Sequence, residues 1–142
     1  MATVKQLLDN KGHEVLSIGR DDSVFDAIKK MADNNVGSLV VLENGKLAGI
    51  ITERHYARNV YLKGRSSPKT TVGEIMSTPC VCARPEQSVE ECMAVMTDKA
   101  VRHLPVLEKK QLIGIISIGD LVKNIISDQK FIIEQLEFYI TG

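Results

Sequence analysis

The hydrophobic pattern of this chain occurs twice, at a spacing of 65 residues. Ser23–Val60 aligns with Ser88–Ile125 without a gap, and 14 of the 38 positions are identical, whereas ordinary residue frequencies would give about two or three. Each copy contains an apolar stripe at the period of an amphipathic helix. The stripe residues are Val24, Ala27, Ile28 and Met31 in the first copy, and Val89, Cys92, Met93 and Met96 in the second. The pattern therefore indicates a tandem repeat of one supersecondary unit.

The same elements are predicted in each copy, in the order β-α-β-β-α. Ser23 and Ser88 stand at helix N-cap positions, three residues before Asp26 and Glu91, which is the spacing of a capping box. Two apolar runs follow the helix, and Asn44-Gly45 joins them in the first copy as a hairpin turn. The first strands are expected at Glu14–Ile18 and Cys80–Ala83, the hairpins at Leu39–Ile51 and Leu104–Ile116, and the closing helices from Thr52 and Ser117.

A single unit of this kind leaves one face of its sheet bare, so the two copies are expected to pack against each other. The predicted fold belongs to the α/β (α+β) class, with two pseudo-symmetric repeats packed sheet to sheet and ligand clefts at the seam. Residues 128–142 have the pattern of a striped helix, which would pack on its own chain or on a second subunit. The expected divisions of a single module over 1–142 are a first repeat (10–62), a linker (63–74), a second repeat (75–127) and a C-terminal helix (128–142).

Composition and charge argue against two classes of binding partner. Lys and Arg number 18, Asp and Glu number 18, and 4% of residues are aromatic, so neither nucleic acid nor an anionic membrane surface is an expected partner. No apolar run has the length of a signal peptide or a membrane span, and we expect a soluble cytoplasmic protein. Cys80, Cys82 and Cys92 do not match the spacing of a four-ligand zinc site, so free thiols and no metal are expected.

Candidate chemistry lies where the last strand of each copy gives way to a helix. In the second copy, Asp120 carries a carboxylate that can accept hydrogen bonds from both hydroxyls of a ribose, and Ser117 stands at the helix start, where phosphate binds well. Gly119 leaves room for a ligand, and Arg102-His103 can bind phosphate by charge-assisted hydrogen bonds. Ser-x-x-Asp is equally the spacing of a capping box, so a structural role for Ser117 and Asp120 is the alternative.

In these motifs the chain resembles a pair of CBS domains, the modules named after cystathionine β-synthase, over about Val4 to Tyr139. The motifs that carry the resemblance are Arg102-His103-Leu104-Pro105-Val106, Gly49–Arg54, Gly114–Asp120 and Val72–Met76. The resemblance implies a regulatory module that forms a homodimer, binds an adenosine-containing nucleotide such as AMP, ATP or NAD between its repeats, and signals to an effector protein. The nucleotide would be a bound ligand and not a catalytic cofactor.

Carried over by position, the resemblance implies one occupied site per chain, with the ribose at Asp120 and the adenine against the first copy. This site comprises Asp22, Ala27, Val36, Gly37, Arg102, His103, Ile115, Ser117, Gly119 and Asp120. A second, weaker site comprises Thr52, Arg54, His55 and Arg58. His55 replaces the expected aspartate there, and an imidazole cannot accept from two hydroxyls as a carboxylate does. Arg54 and Arg58 either hold phosphate or form a solvated basic helix face.

Two other classes of function compete with nucleotide sensing. Catalysis needs a nucleophile with its base, a metal or paired carboxylates, and the sequence shows no such spacing, so no enzymatic activity is expected. The remaining alternative is an interaction module that dimerises without binding a small molecule. The two differ measurably, because a ligand that binds the folded state stabilises it.

Overall fold

The computed structural model describes residues 2–127 and shows the mixed α/β fold that the repeat predicts, with two small sheets. The elements of the first half are α1 (Val4–Lys11), β1 (Ser17–Gly19), α2 (Val24–Asn34), β2 (Ser38–Glu43), β3 (Lys46–Thr52) and α3 (Glu53–Tyr56), followed by a π-helical turn over Ala57–Tyr61. Those of the second half are α4 (Val72–Ile75), α5 (Val89–Lys99), β4 (His103–Glu108), β5 (Gln111–Ser117) and the helical residues 118–127, termed α6. The C-terminal helix predicted for 128–142 lies outside the described residues.

Helices α2 and α5 begin after the predicted N-cap residues, but within residues 2–127 only α5 of the two completes its capping box, by the bond from the Ser88 N–H to Glu91. The Ser23 hydroxyl accepts a hydrogen bond from the Asp26 N–H at 3.0 Å, and the Ser88 hydroxyl accepts one from the Glu91 N–H at 3.1 Å. The predicted stripes supply the buried positions of both helices, which are Val24, Ala27 and Met31 in α2 and Val89, Cys92 and Met96 in α5. Each stripe packs into the hydrophobic core of its own repeat.

The two hairpins have the same register and the same irregularity. Strand β2 pairs antiparallel with β3, and β4 with β5, and each pairing shifts register at the equivalent place. Asn44 and Gly45 turn the first hairpin with positive φ values of 54° and 76°, as their residue types favour. Lys109 and Lys110 adopt the same left-handed conformation, at 50° and 67°, without the help of glycine.

The first strand expected in the second repeat is reduced to a single bridge, which corrects the prediction for Cys80–Ala83. Ala83 alone pairs with Val106, in parallel. In the first repeat the Val40 N–H donates to the Leu16 carbonyl at 3.2 Å. Pro105 occupies the position equivalent to Val40 and has no N–H to donate, so the parallel ladder cannot extend.

The helix that precedes each repeat packs on the other repeat. The Val4 N–H of α1 donates to Gln87 beside α5, and the Val72 N–H of α4 donates to Asp22 beside α2, both at 2.8 Å. Val4 and Leu8 are fully buried in the core of the second repeat, and Val72 is fully buried in the core of the first. The two repeats are thereby joined by exchanged helices as well as by the contact between β3 and β5.

Two equivalent glycines make room for the exchanged segments. A Cβ at Gly114 would lie 2.7 Å from the Leu8 side chain of α1. A Cβ at Gly49 would lie 2.8 Å from the Met76 sulfur and 2.8 Å from the Ser77 carbonyl oxygen. The packing between the repeats therefore requires glycine at the first position of the repeated Gly-Ile-Ile motif.

Candidate functional site

Two clefts lie at the seam, and the 65-residue repeat relates them. The Asp120 cleft has a volume of about 350 Å³ and the His55 cleft a volume of about 340 Å³, each within the range of small-molecule sites. Gly37 and His103 line both clefts and so form the wall between them. The other lining residues used below are Lys11, Glu14, Val36, Ile115, Ser117 and Asp120 in the first cleft, and Thr52, Glu53, Arg54, His55, Arg58 and Arg102 in the second.

The Asp120 carboxylate stands at the junction of β5 and α6 and closes a capping box with Ser117. Asp120 Oδ2 accepts a hydrogen bond from the Ser117 N–H at 2.8 Å, and the Ser117 hydroxyl accepts one from the Asp120 N–H at 3.2 Å. The capping interpretation is therefore correct as geometry. It does not use the whole carboxylate, because Asp120 Oδ1 makes no hydrogen bond within residues 2–127.

Lys11, the last residue of α1, reaches across the cleft to Asp120. Its Nζ donates to Asp120 Oδ2 at 2.5 Å and to the Ile115 carbonyl at 2.7 Å. Burial alone would raise the pKa of Asp120, but the hydrogen bonds from Lys11 and Ser117 outweigh it, so the net pKa is lowered. Asp120 is thus a carboxylate at neutral pH that lines the cleft, with Oδ2 engaged and Oδ1 without a hydrogen bond in residues 2–127.

His55 reproduces the cap of the other repeat with a ring nitrogen. The Thr52 N–H donates to His55 Nδ1 at 3.1 Å, and the Thr52 hydroxyl accepts from the His55 N–H at 3.2 Å. Because Nδ1 accepts this bond, the proton of the neutral ring is on Nε2. The equivalent positions of the two clefts therefore differ in kind: Asp120 presents an acceptor, and His55 presents a donor.

The two clefts also differ in charge. Lys11 is the one strong base lining the Asp120 cleft, against the carboxylates of Glu14 and Asp120. The His55 cleft has three arginines against the single carboxylate of Glu53. In the part of the chain that the structure describes, none of those arginines, Arg54, Arg58 and Arg102, forms a salt bridge.

Both cleft histidines favour their neutral form. Burial lowers the pKa of His55, and the neighbouring charges of Arg54 and Arg58 lower it further. Burial also lowers the pKa of His103; Lys11, Arg102 and His55 lower it further, while Asp120 opposes them. An anion entering the His55 cleft would reverse part of this effect, because negative charge favours the imidazolium.

The structure brings together six of the ten residues assigned to the principal site. Val36, Gly37, His103, Ile115, Ser117 and Asp120 all line the Asp120 cleft. Arg102 lines the His55 cleft instead, and Gly119 follows Ser117 with ordinary contact space, its nearest neighbour for an added Cβ being the Ser117 hydroxyl at 3.6 Å. All four residues of the second site, Thr52, Arg54, His55 and Arg58, line the His55 cleft.

Asp22 and Ala27, which the resemblance assigns to the principal site, line neither cleft. Ala27 is fully buried on the apolar stripe of α2 within the first core, so no cleft reaches it. Asp22 is exposed at the exchange junction, where its carboxylate accepts from the Gly19 N–H and its carbonyl from the Val72 N–H. Neither residue lies in a cleft at the seam. The position of a residue in the motif does not reveal whether its side chain reaches the cleft.

Sequence analysis missed Lys11 and Glu14 in the Asp120 cleft and Glu53 in the His55 cleft. Lys11 lies 109 residues from Asp120 along the chain, and no local pattern connects them. Glu53 stands next to Thr52 within the Gly49–Arg54 motif, and its acidic side chain was the available signal. No group of three metal-ligating side chains occurs in residues 2–127, and no helix there has the length and apolarity for crossing a membrane.

Comparison with known proteins identifies the family. The CBS domain model matches residues 4–61 and 72–127. A protein with CBS domains from Burkholderia ambifaria is 49% identical, with a TM-score of 0.87 over 90% of this chain and 96% of its own. The mitochondrial CBS domain-containing protein CBSX3 of Arabidopsis thaliana is 40% identical over 99% of this chain and 72% of its own.

A more distant structure shares the fold. It is a CBS domain pair in complex with 5′-methylthioadenosine and S-adenosyl-L-methionine, 22% identical, with a TM-score of 0.77 over 89% of this chain and 98% of its own. The family model matches both repeats, and the chain belongs to the CBS domain family as a tandem pair of CBS domains.

Proposed function

We propose that this CBS pair is a non-catalytic regulatory module that binds an adenosine-containing nucleotide, such as AMP, ATP or NAD, in the Asp120 cleft. The observation that carries the proposal is the half-used Asp120 carboxylate, ionised and lining a cavity of about 350 Å³. A carboxylate with open acceptor sites suits a pair of vicinal hydroxyls, which are both donors.

The surroundings of Asp120 supply the rest of the ligand contacts. Val36 and Ile115 are half-buried apolar side chains on the cleft wall, and Gly37 adds no side chain beyond its Cα. A flat adenine ring would pack between these residues. His103 and Lys11 then stand near the phosphate end, where the charge of Lys11 favours an anion.

Ligand entry changes the position of Lys11, which gives occupancy a structural consequence. The second hydroxyl of a diol needs Asp120 Oδ2, which Lys11 holds in the free protein. Because Lys11 ends a helix that is buried in the second repeat, its release alters the contact between α1 and the seam. An effector protein that reads this change would complete the regulatory module.

The thiols give no support to covalent catalysis. Burial raises the pKa of Cys80 and of Cys92 to about 11, so both are protonated at neutral pH and poor nucleophiles.

Calorimetric titration with AMP, ATP and NAD tests the proposal. Replacing Asp120 with Ala removes charge-assisted hydrogen bonds, and the affinity for the bound nucleotide should fall about tenfold to a hundredfold. The matched control is Asp98→Ala, because Asp98 is an exposed carboxylate that lines neither cleft. Equal affinity of parent and Asp120→Ala would contradict the site, and no binding of any nucleotide would favour the dimerising interaction module.

We further propose a homodimer, for which the exposed apolar side chains provide a surface. Tyr61 is 72% exposed and Leu62 is 75% exposed, while Val122 and Ile126 lie one turn apart on α6 and are also exposed. Light scattering coupled to size exclusion should give twice the mass of the 15.7 kDa chain. A monomer at micromolar concentration would contradict this part of the proposal.

A further inference from the structure

We propose that the His55 cleft is a second site, which binds an oligophosphate anion and does not require a ribose. The inference goes beyond nucleotide binding at Asp120, because it assigns a different class of ligand to the other cleft. It rests on the charges and the hydrogen-bond donors that line that cleft.

Three arginines from both repeats line this cavity. Arg54 and Arg58 come from α3 and the π-helical turn of the first repeat, and Arg102 precedes β4 of the second. No carboxylate in residues 2–127 pairs with any of them. A cleft lined by arginines that have no carboxylate partner among the described residues offers forked donors to phosphate oxygens.

The histidine at the cap position selects against a sugar diol. His55 Nδ1 already accepts the Thr52 N–H, so the ring has no acceptor left for a hydroxyl proton. Its Nε2–H is a donor, as phosphate oxygens require. The substitution of histidine for aspartate thus changes the hydrogen-bonding preference of the cleft from hydroxyl groups to anions.

The Glu53 carboxylate disfavours the binding of anions that carry little negative charge. Its carboxylate oxygen lies 3.1 Å from where a Cβ at Gly37 would be, on the wall that also carries His103. It offsets one guanidinium and repels a weakly charged anion. An anion with several negative charges gains more from the three arginines than it loses to one glutamate, so oligophosphates are favoured over orthophosphate.

Titration with inorganic tripolyphosphate, without divalent cations and at about 0.15 M salt, tests the inference. We expect one tripolyphosphate per chain, tighter than orthophosphate, and about tenfold or greater loss of affinity in the double variant Arg58→Gln/Arg102→Gln. The control is Arg84→Gln, because Arg84 pairs with Glu86 and lines neither cleft. Unchanged far-ultraviolet circular dichroism shows that the variants are folded, and the single variants Arg58→Gln and Arg102→Gln provide the same comparison if the double variant is not.

Two further arms separate the possible sources of the oligophosphate and separate this inference from the nucleotide proposal. Competition between ATP and tripolyphosphate would identify the phosphate tail of a nucleotide as the source, and independent binding would identify a free oligophosphate; both support the site. Asp120→Ala should weaken AMP binding and leave tripolyphosphate binding in place. No binding of tripolyphosphate, or equal binding by the parent and the folded arginine variants, would overturn the inference whether or not AMP binds.

Discussion

Lys11 Nζ lies 2.5 Å from Asp120 Oδ2 and links the end of the first helix to the start of the last described one. The two side chains come from opposite ends of the described chain, and each is only partly exposed, at 34% and 19%. Lys11 thereby occupies the carboxylate oxygen that a ribose hydroxyl would use. In the free protein this ion pair holds one oxygen of Asp120, so under the proposed function a ribose would have to exchange partners with Lys11.

Removing the ammonium group of Lys11 should strengthen the binding of adenosine, which has the diol but no phosphate. A partly exposed ion pair is worth up to about 1 kcal/mol, so Lys11→Met should raise adenosine affinity about twofold to fivefold. Calorimetry with adenosine measures this, and Lys5→Met on the exposed side of the same helix is the control. Weaker adenosine binding by Lys11→Met would mean that Lys11 is a ligand contact and not a competitor.

The cleft histidines predict a pH dependence of stability in the free protein. Their pKa values are lowered on folding, so the unfolded chain binds protons more readily, and stability should decrease as pH falls below the ordinary histidine value of about 6.5. Protonation of His55 would also break the bond from the Thr52 N–H. NMR titration should place both midpoints below about 6.5, and tripolyphosphate should raise them. Midpoints at or above the ordinary value would contradict the burial of the neutral rings.

Replacing His55 with Asp should change the ligand preference of the His55 cleft from an anion to a sugar diol. The carboxylate restores the acceptor found at Asp120, while its charge repels an anion. We expect the adenosine stoichiometry to rise from one to two per chain and the tripolyphosphate affinity to fall about tenfold or more. The variant His55→Asn, whose side chain has the shape of aspartate without its charge, separates the two effects. An adenosine stoichiometry that stays at one in His55→Asp would show that the acceptor alone does not define the site.

The equivalent glycines at the seam should differ in their tolerance of a methyl group. Gly114→Ala meets the flexible tip of Leu8, whereas Gly49→Ala also meets the Ser77 carbonyl, which belongs to the backbone. Overpacking should cost about 1–3 kcal/mol of unfolding free energy, with Gly49→Ala the more severe. Urea denaturation checks this, and Gly119→Ala, whose Cβ has ordinary contact distance, is the control. A larger loss in Gly114→Ala than in Gly49→Ala would contradict the packing given for the exchanged helices.

Local patterns were sufficient to predict the repeat, the stripes of α2 and α5 and the Asn44-Gly45 hairpin, because each depends on residues a few positions apart. The absence of a strand near Ala83 could also have been predicted from the sequence, since Pro105 lacks the N–H that the parallel ladder needs. Helix exchange was not, because nothing in Val4–Lys11 specifies which repeat buries its apolar side. For the same reason the site prediction included Asp120 without Lys11. Ala27 was assigned to the site from its position in the family motif, although the apolar stripe of α2 already indicated that it is a core residue.

The most direct test of the account is a crystal structure of the protein with saturating AMP. We predict both ribose hydroxyls within hydrogen-bond distance of the Asp120 carboxylate, and Lys11 Nζ withdrawn from Oδ2. An intact Lys11–Asp120 pair beside a cleft without nucleotide would contradict the proposed function.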